Sequence, residues 1–172
     1  MQETPQQYRE RILSILGKQD PMKVQSSTPA RLTKLMRRAT RQKLKRKPAP
    51  GKWSVNEIVA HLSETEIVVG YRIRAIAGAP GTPIQPFDQD AWAVAGNYAA
   101  RDGKQSLALF RAVREANLEW LRRLRHEQWK HCGMHAERGE ESIETTVRMI
   151  AGHDLNHLRQ VEALLVPERK RS

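Results

Sequence analysis

The segment SIETTVRMIAGHDLNHLRQVEALL, Ser142 to Leu165, decides how the chain is read. Its residues Ile143, Val147, Ile150, Leu158, Val161 and Leu165 recur at steps of three, four and eight. A helix turns by about 100° per residue, so this spacing gathers them on one inner face. His153 and His157 fall on the edge of that face, four residues apart, where side chains lie one above the other. Gln160 lies close to the same line. Asp154 projects into the middle of the apolar sector and needs a partner, because an unpaired charge away from water is costly.

Working outward, Ser54 followed three residues later by Glu57 is a capping box, with Trp53 placed to staple onto the first turn. A helix is expected from Ser54 to about Ala77, with Ile58, Leu62, Val69, Ile73 and Ile76 on one face and Gly78-Ala79-Pro80-Gly81 as its stop. Another is expected over Lys104 to His126, with Leu107, Phe110, Val113, Leu121 and Leu124 as its stripe. Thr4 and Pro5 open a first helix that reaches Gly17, and Asp20-Pro21 breaks the chain. A further helix opens at Ser27-Thr28-Pro29 and runs to about Lys45. Lys47-Pro48-Ala49-Pro50-Gly51 is a linker. Residues 79–102 read as a long irregular loop that holds at most a short helix over Asp88–Ala95, with Phe87, Trp92 and Tyr98 as anchors into the core. No strand alternation is evident. The expectation is an all-α fold: a four-helix bundle formed by one domain over residues 1–172, with a frayed tail at 167–172.

At 172 residues the chain suits a single core. Its single cysteine, Cys132, excludes an internal disulfide. No apolar run approaches the ~18 residues of a membrane span, and the N-terminus lacks the layout of a signal peptide. The expected setting is therefore cytoplasmic, without a membrane partner. The net charge of +11 brings nucleic acid into consideration. Arg31 to Lys47 holds nine cations and no acid. Such a run is either a solvated helix face or a footprint for a polyanion. Few aromatics stand nearby to stack on bases, and no Gly-rich phosphate loop follows.

On the helix from Ser54, His61 falls at the edge of the inner face, beside Ile58. Helices in a bundle lie about 8–10 Å apart, so imidazoles from two of them can meet at one point. His61, His153 and His157 are therefore candidate metal ligands. Three neutral imidazoles suit zinc or nickel first, and iron or copper as well. Three protein ligands leave a position open for water or a thiol. A closed structural site would need a fourth ligand, for which Cys132 is the candidate. Asp154 is a candidate to orient an imidazole from behind, and Glu57 to do the same or carry a proton.

The run Trp53-Ser54-Val55-Asn56-Glu57-Ile58-Val59-Ala60-His61-Leu62 resembles the opening of the second helix in the DinB-like superfamily, also called YfiT-like. Gly152-His153-Asp154-Leu155-Asn156-His157 resembles its last helix. The resemblance implies a four-helix bundle, a divalent metal on His61, His153 and His157, and often a homodimer. It also implies a metal-dependent hydrolase or a thiol-dependent transferase or isomerase, acting on a small-molecule substrate or with a low-molecular-weight thiol. The basic Arg31–Lys47 segment is not part of that pattern. It carries the rival expectation of a nucleic-acid or polyanion-binding module with a structural or vestigial metal.

Overall fold

The computed structural model describes residues 3–166, so the tail expected to fray at 167–172 lies outside the described residues. Seven helices form: α1 (Pro5–Leu16), α2 (Pro21–Met36), α3 (Arg41–Lys45), α4 (Val55–Gly78), α5 (Gln89–Ala95), α6 (Gly103–Arg122) and α7 (Ile143–Leu165). Three short strands accompany them: β1 (Pro83–Ile84), β2 (Cys132–His135) and β3 (Gly139–Ser142).

Helices α4, α6, α2 and α7 close into a ring, in which each packs against the next and α7 returns to α4. This is the all-α four-helix bundle expected from the sequence. Helix α1 lies outside the ring, along α7. Gly152 permits this approach, because a Cβ there would sit 2.2 Å from the carbonyl oxygen of Ile12. Among the described residues, no helix is long and apolar enough to cross a membrane.

Helix α2 corrects the sequence reading. It begins at Pro21, where the Asp20 carboxylate accepts the amides of Met22 and Lys23, and it runs straight through Pro29. An internal proline has no N–H for the carbonyl four residues back, which here belongs to Gln25. That carbonyl accepts from Arg114 Nη1 instead, at 3.1 Å. The helix stops at Met36, and α3 is a separate turn in which Thr40 accepts the Lys43 amide. Helix α6 likewise ends at Arg122 and not His126, and a 3-10 turn follows over His126–Lys130.

The 79–102 stretch is not simply irregular. It holds β1, α5 capped by Asp88, and a 3-10 turn at Tyr98–Ala100. Tyr98 is the buried anchor, whereas Trp92 stays exposed against Phe87. The strands form one small sheet. β1 pairs parallel with β2 (Ile84 opposite His135), and β2 pairs antiparallel with β3 (Cys132 opposite Ser142). Strands of two and four residues hold too few positions for alternation to register. The sheet matters because β3 feeds directly into α7, whose first turn is capped by the Ser142 hydroxyl, 3.0 Å from the Thr145 amide.

The core has two apolar halves. One includes Leu16, Leu32, Ile58, Leu62, Phe110, Leu155 and Leu158; the other includes Val69, Ile73, Ile76, Leu121, Ile143 and Val147. Along α4 the first half ends at Leu62 and the second begins at Val69. The buried side chains in that gap are polar: Ser63, Thr65 and Glu66. On α6 the equivalent gap holds Arg114 and Asn117.

Candidate metal centre

The capping box read from sequence fixes the start of α4. The Ser54 amide donates to Glu57 Oε2 at 2.8 Å, and the Glu57 amide returns a bond to Ser54 Oγ. Seven residues into the helix, His61 is turned inward and is 1% exposed. From α7, His153 and His157 meet it, each 7% exposed. His153 Nε2 lies 3.0 Å from His61 Nε2 and 3.1 Å from His157 Nε2. The structure thus joins all three sequence candidates at one point. Among the described residues no other histidine, cysteine or carboxylate completes a group with them. Cys132 lies on β2, with its thiol against the Lys130 carbonyl.

Burial depresses the pKa of each ring below the ordinary histidine value of 6.5, because a charged imidazolium would lose its water. The neighbouring histidines add to the effect at His61 and His153. His157 falls to about 4, burial outweighing the opposing hydrogen bond that it gives to Gln160. All three are therefore neutral near pH 7. The His157 Nδ1–H donates to Gln160 Oε1 at 2.8 Å, which leaves its Nε2 lone pair facing the cluster. His153 Nδ1 is buried without a partner. The result is a set of nitrogen lone pairs crowded together and under-supplied with protons. Such a set fits a divalent transition metal, for which neutral imidazole is a preferred ligand.

The two carboxylates singled out in the sequence have other partners. Glu57 accepts from Ser54 and pairs with Lys47 Nζ at 2.8 Å. Asp154 is fully buried and bound by Arg114, with Nη1 to Oδ2 at 2.5 Å and Nη2 to Oδ1 at 3.1 Å. Neither makes a hydrogen bond to an imidazole among the described residues. The need for a partner at Asp154 was legible, but the partner is a buried arginine of α6 and not a histidine. Arg114 also reaches Glu66 of α4 at 2.7 Å, and Asn117 Nδ2 holds the other oxygen of Glu66 at 2.8 Å. Sequence reasoning missed Arg114, Glu66 and Asn117 because charged and amide residues on a helix are by default assigned to solvent.

A cavity of about 580 Å³ opens against the cluster on the His157 side. Tyr8 and Arg11 of α1, Lys52 and Trp53 ahead of α4, and Asn156 and Gln160 of α7 line it, and Gln89 and Asp90 extend the wall from α5. Trp53 does more than staple a helix: its ring lies 4.8 Å from that of His61. Arg11 is paired with Glu3 at 2.8 Å.

In the basic segment, Arg31 pairs with Glu162, Lys47 with Glu57, and Lys43 donates to the Leu165 carbonyl at the end of α7. Arg37, Arg38, Arg41, Lys45 and Arg46 are exposed and hold no ion pair among the described residues.

A ring of four helices with a three-histidine cluster between its second and last long members defines a class. The chain belongs to the DinB superfamily, whose family model matches residues 26–161. It is 24% identical over 144 residues to a Bacillus subtilis protein named "Putative metal-dependent hydrolase YfiT", which covers 83% of this chain and 81% of that protein. An Oceanobacillus iheyensis protein with the same designation, OB0413, is 23% identical over 115 residues, or 67% of this chain and 66% of its own length. The chain thus spans just under two thirds of that relative. The solved structure of YfiT, described as having an unusual four-helix bundle topology, overlays with a TM-score of 0.76 at 22% identity, covering 83% of this chain and 84% of that one. At that identity the likeness speaks for the fold.

Proposed function

We propose that the chain is a metal-dependent hydrolase in which His61, His153 and His157 hold one divalent transition metal, zinc or nickel before iron or copper, beside a cavity for a small-molecule substrate. The observation that carries this reading is the meeting of three buried imidazoles whose ligand nitrogens lie within 4.8 Å of one another. When bound there, such a metal supplies Lewis acidity that lowers the pKa of a water or a thiol. The protein's own contribution is orientation and exclusion of water. Gln160 fixes the tautomer of His157, Trp53 covers one face of His61, and the cavity wall from Tyr8 to Gln160 confines the substrate next to His157. The names carried by the relatives favour hydrolysis over the thiol-dependent transfer that the same site chemistry allows.

Elemental analysis of the purified protein should find about one metal per chain, and His61→Ala should remove it. Activity on model esters or amides should disappear with chelator and return with added metal. If a low-molecular-weight thiol instead perturbs the spectrum of the cobalt-substituted protein and no ester or amide is cleaved, the thiol-dependent reading replaces the hydrolase. Sedimentation of the same sample tests the homodimer implied by family membership.

A second reading rests on the exposed cations Arg37, Arg38 and Arg41. If they bind polyanions, affinity for duplex DNA should fall steeply with salt, and charge reversal at these positions should abolish it. Affinity no greater than that of an unrelated basic protein would sink this idea.

A further inference from the structure

We infer that Arg114 is a positioning residue for the histidine cluster: by bridging Glu66 and Asp154, it sets the spacing between His61 on α4 and His153 and His157 on α7. Asp154 directly follows His153 in α7, and Glu66 lies little more than one turn after His61 in α4. One guanidinium on a third helix, α6, grips both carboxylates. Its Nη1 and Nη2 bond the two oxygens of Asp154 at 2.5 and 3.1 Å, and Nη2 reaches Glu66 Oε2 at 2.7 Å. The fourth helix is tied in as well, because the Gln25 carbonyl left free by Pro29 accepts from Nη1 at 3.1 Å. Gln25 Nε2 in turn donates to the Val147 carbonyl of α7 at 2.8 Å. All four helices of the ring are thus pinned at the level of the histidines by one planar group. Only arginine has the fork to do this; a lysine ammonium would be a single point of contact.

Stability alone is a poor reason for such an arrangement. Taking one cation and two anions out of water costs several kcal/mol per ion, and well-packed neutral replacements are often as stable or more so. What a buried network with this many bonds does supply is a fixed geometry, even with Arg114 Nε left without a partner. Functional constellations must be held to within about 0.5 Å by the residues behind them. Gln160 holds His157, but the other two rings have little of their own to hold them: His153 Nδ1 has no partner, and His61 has Thr65 only at 3.4 to 3.5 Å.

The test removes the charges together, so that no buried ion is stranded. The triple variant Glu66→Gln/Arg114→Met/Asp154→Asn should fold cooperatively. In the metal-free parent, carbon-bound ring protons of His61 should show nuclear Overhauser contacts to those of His153 and His157, whose ring centroids lie 5.1 and 5.0 Å away. Those contacts should weaken or vanish in the triple variant, and zinc affinity should fall by about 10- to 100-fold, as for outer partners of other metal sites. Arg114→Lys should fall between parent and triple variant on both readouts, and it serves alone if the triple variant does not fold. A folded variant that keeps the ring contacts and the parent's zinc affinity overturns the inference and leaves the network a structural one. The affinity readout rests on the proposed metal site, but the ring contacts do not. A parent that binds no zinc would therefore end the metal reading, while loss of the ring contacts would still support the positioning role.

Discussion

Two buried polar clusters share helices α4 and α7, where Glu66 follows His61 by five residues and Asp154 adjoins His153, and they are built on opposite terms. In the Glu66–Arg114–Asp154 group the charged partners face one another, and Asn117 and the Gln25 carbonyl take up further bonds. In the His61–His153–His157 group the Nε2 of His153 faces the Nε2 atoms of the other two rings, Gln160 holds His157 Nδ1, and His153 Nδ1 is left bare. The first closes its charges on one another, with Arg114 Nε the one guanidinium nitrogen that has no partner. The second lacks what a cation would bring. A buried polar cluster whose bonds close on themselves reads as a brace, and one whose lone pairs converge reads as a receptacle.

The sharpest way to break this contrast is to delete one member of the brace. Arg114→Met leaves Glu66 and Asp154 without their shared counter-charge in the core and should cost about 3–5 kcal/mol in urea unfolding. A loss below 1 kcal/mol, on the order of an exposed pair, would mean that the network is solvated. Gly152→Ala should come next, at about 1–3 kcal/mol for overpacking. It drives a methyl into the Ile12 carbonyl and pushes α1, with Tyr8 and Arg11, away from the receptacle while leaving the brace untouched. Its metal affinity should stay near that of the parent, while substrate turnover falls.

A graded effect should follow from pH. The folded-state pKa values of the three histidines lie below 6.5, and that of His157 is about 4. Between these values the unfolded chain binds more protons than the folded one, so stability is present above pH 6.5 and is lost as pH falls towards 4. Thermal melts of metal-free protein should show this slope, and saturating zinc should raise the melting temperature at pH 7 but no longer at pH 4. The smallest effect on folding should come from His153→Leu. It trades an unsatisfied ring for an apolar side chain of similar size and should change the metal-free stability by less than about 1.5 kcal/mol, while metal stoichiometry drops to zero. Large destabilisation by this variant would show that the receptacle is braced after all.

The long helices and their inner faces were legible because period and capping are local. The stripe from Ile143 to Leu165 is buried throughout, and Ser54 with Glu57 marks the start of α4. Boundaries failed where a residue's local preference was overruled by a distant partner. Pro29 reads as a helix start, and it sits mid-helix because Arg114, far along the chain, satisfies the carbonyl that the proline abandons. The small sheet escaped because its strands are too short to carry a period.

The sequence by itself determined which residue types could form a metal site and on which helical faces they stand, since i to i+4 geometry is a property of one helix. It also exposed Asp154 as a charge in need of a partner. Only the tertiary structure decided who that partner is, that Glu57 also pairs with Lys47, and that His61 comes within 3.0 Å of His153. Those facts depend on how four helices are rotated and spaced against one another, and that is settled by packing across the whole core, which no single segment encodes.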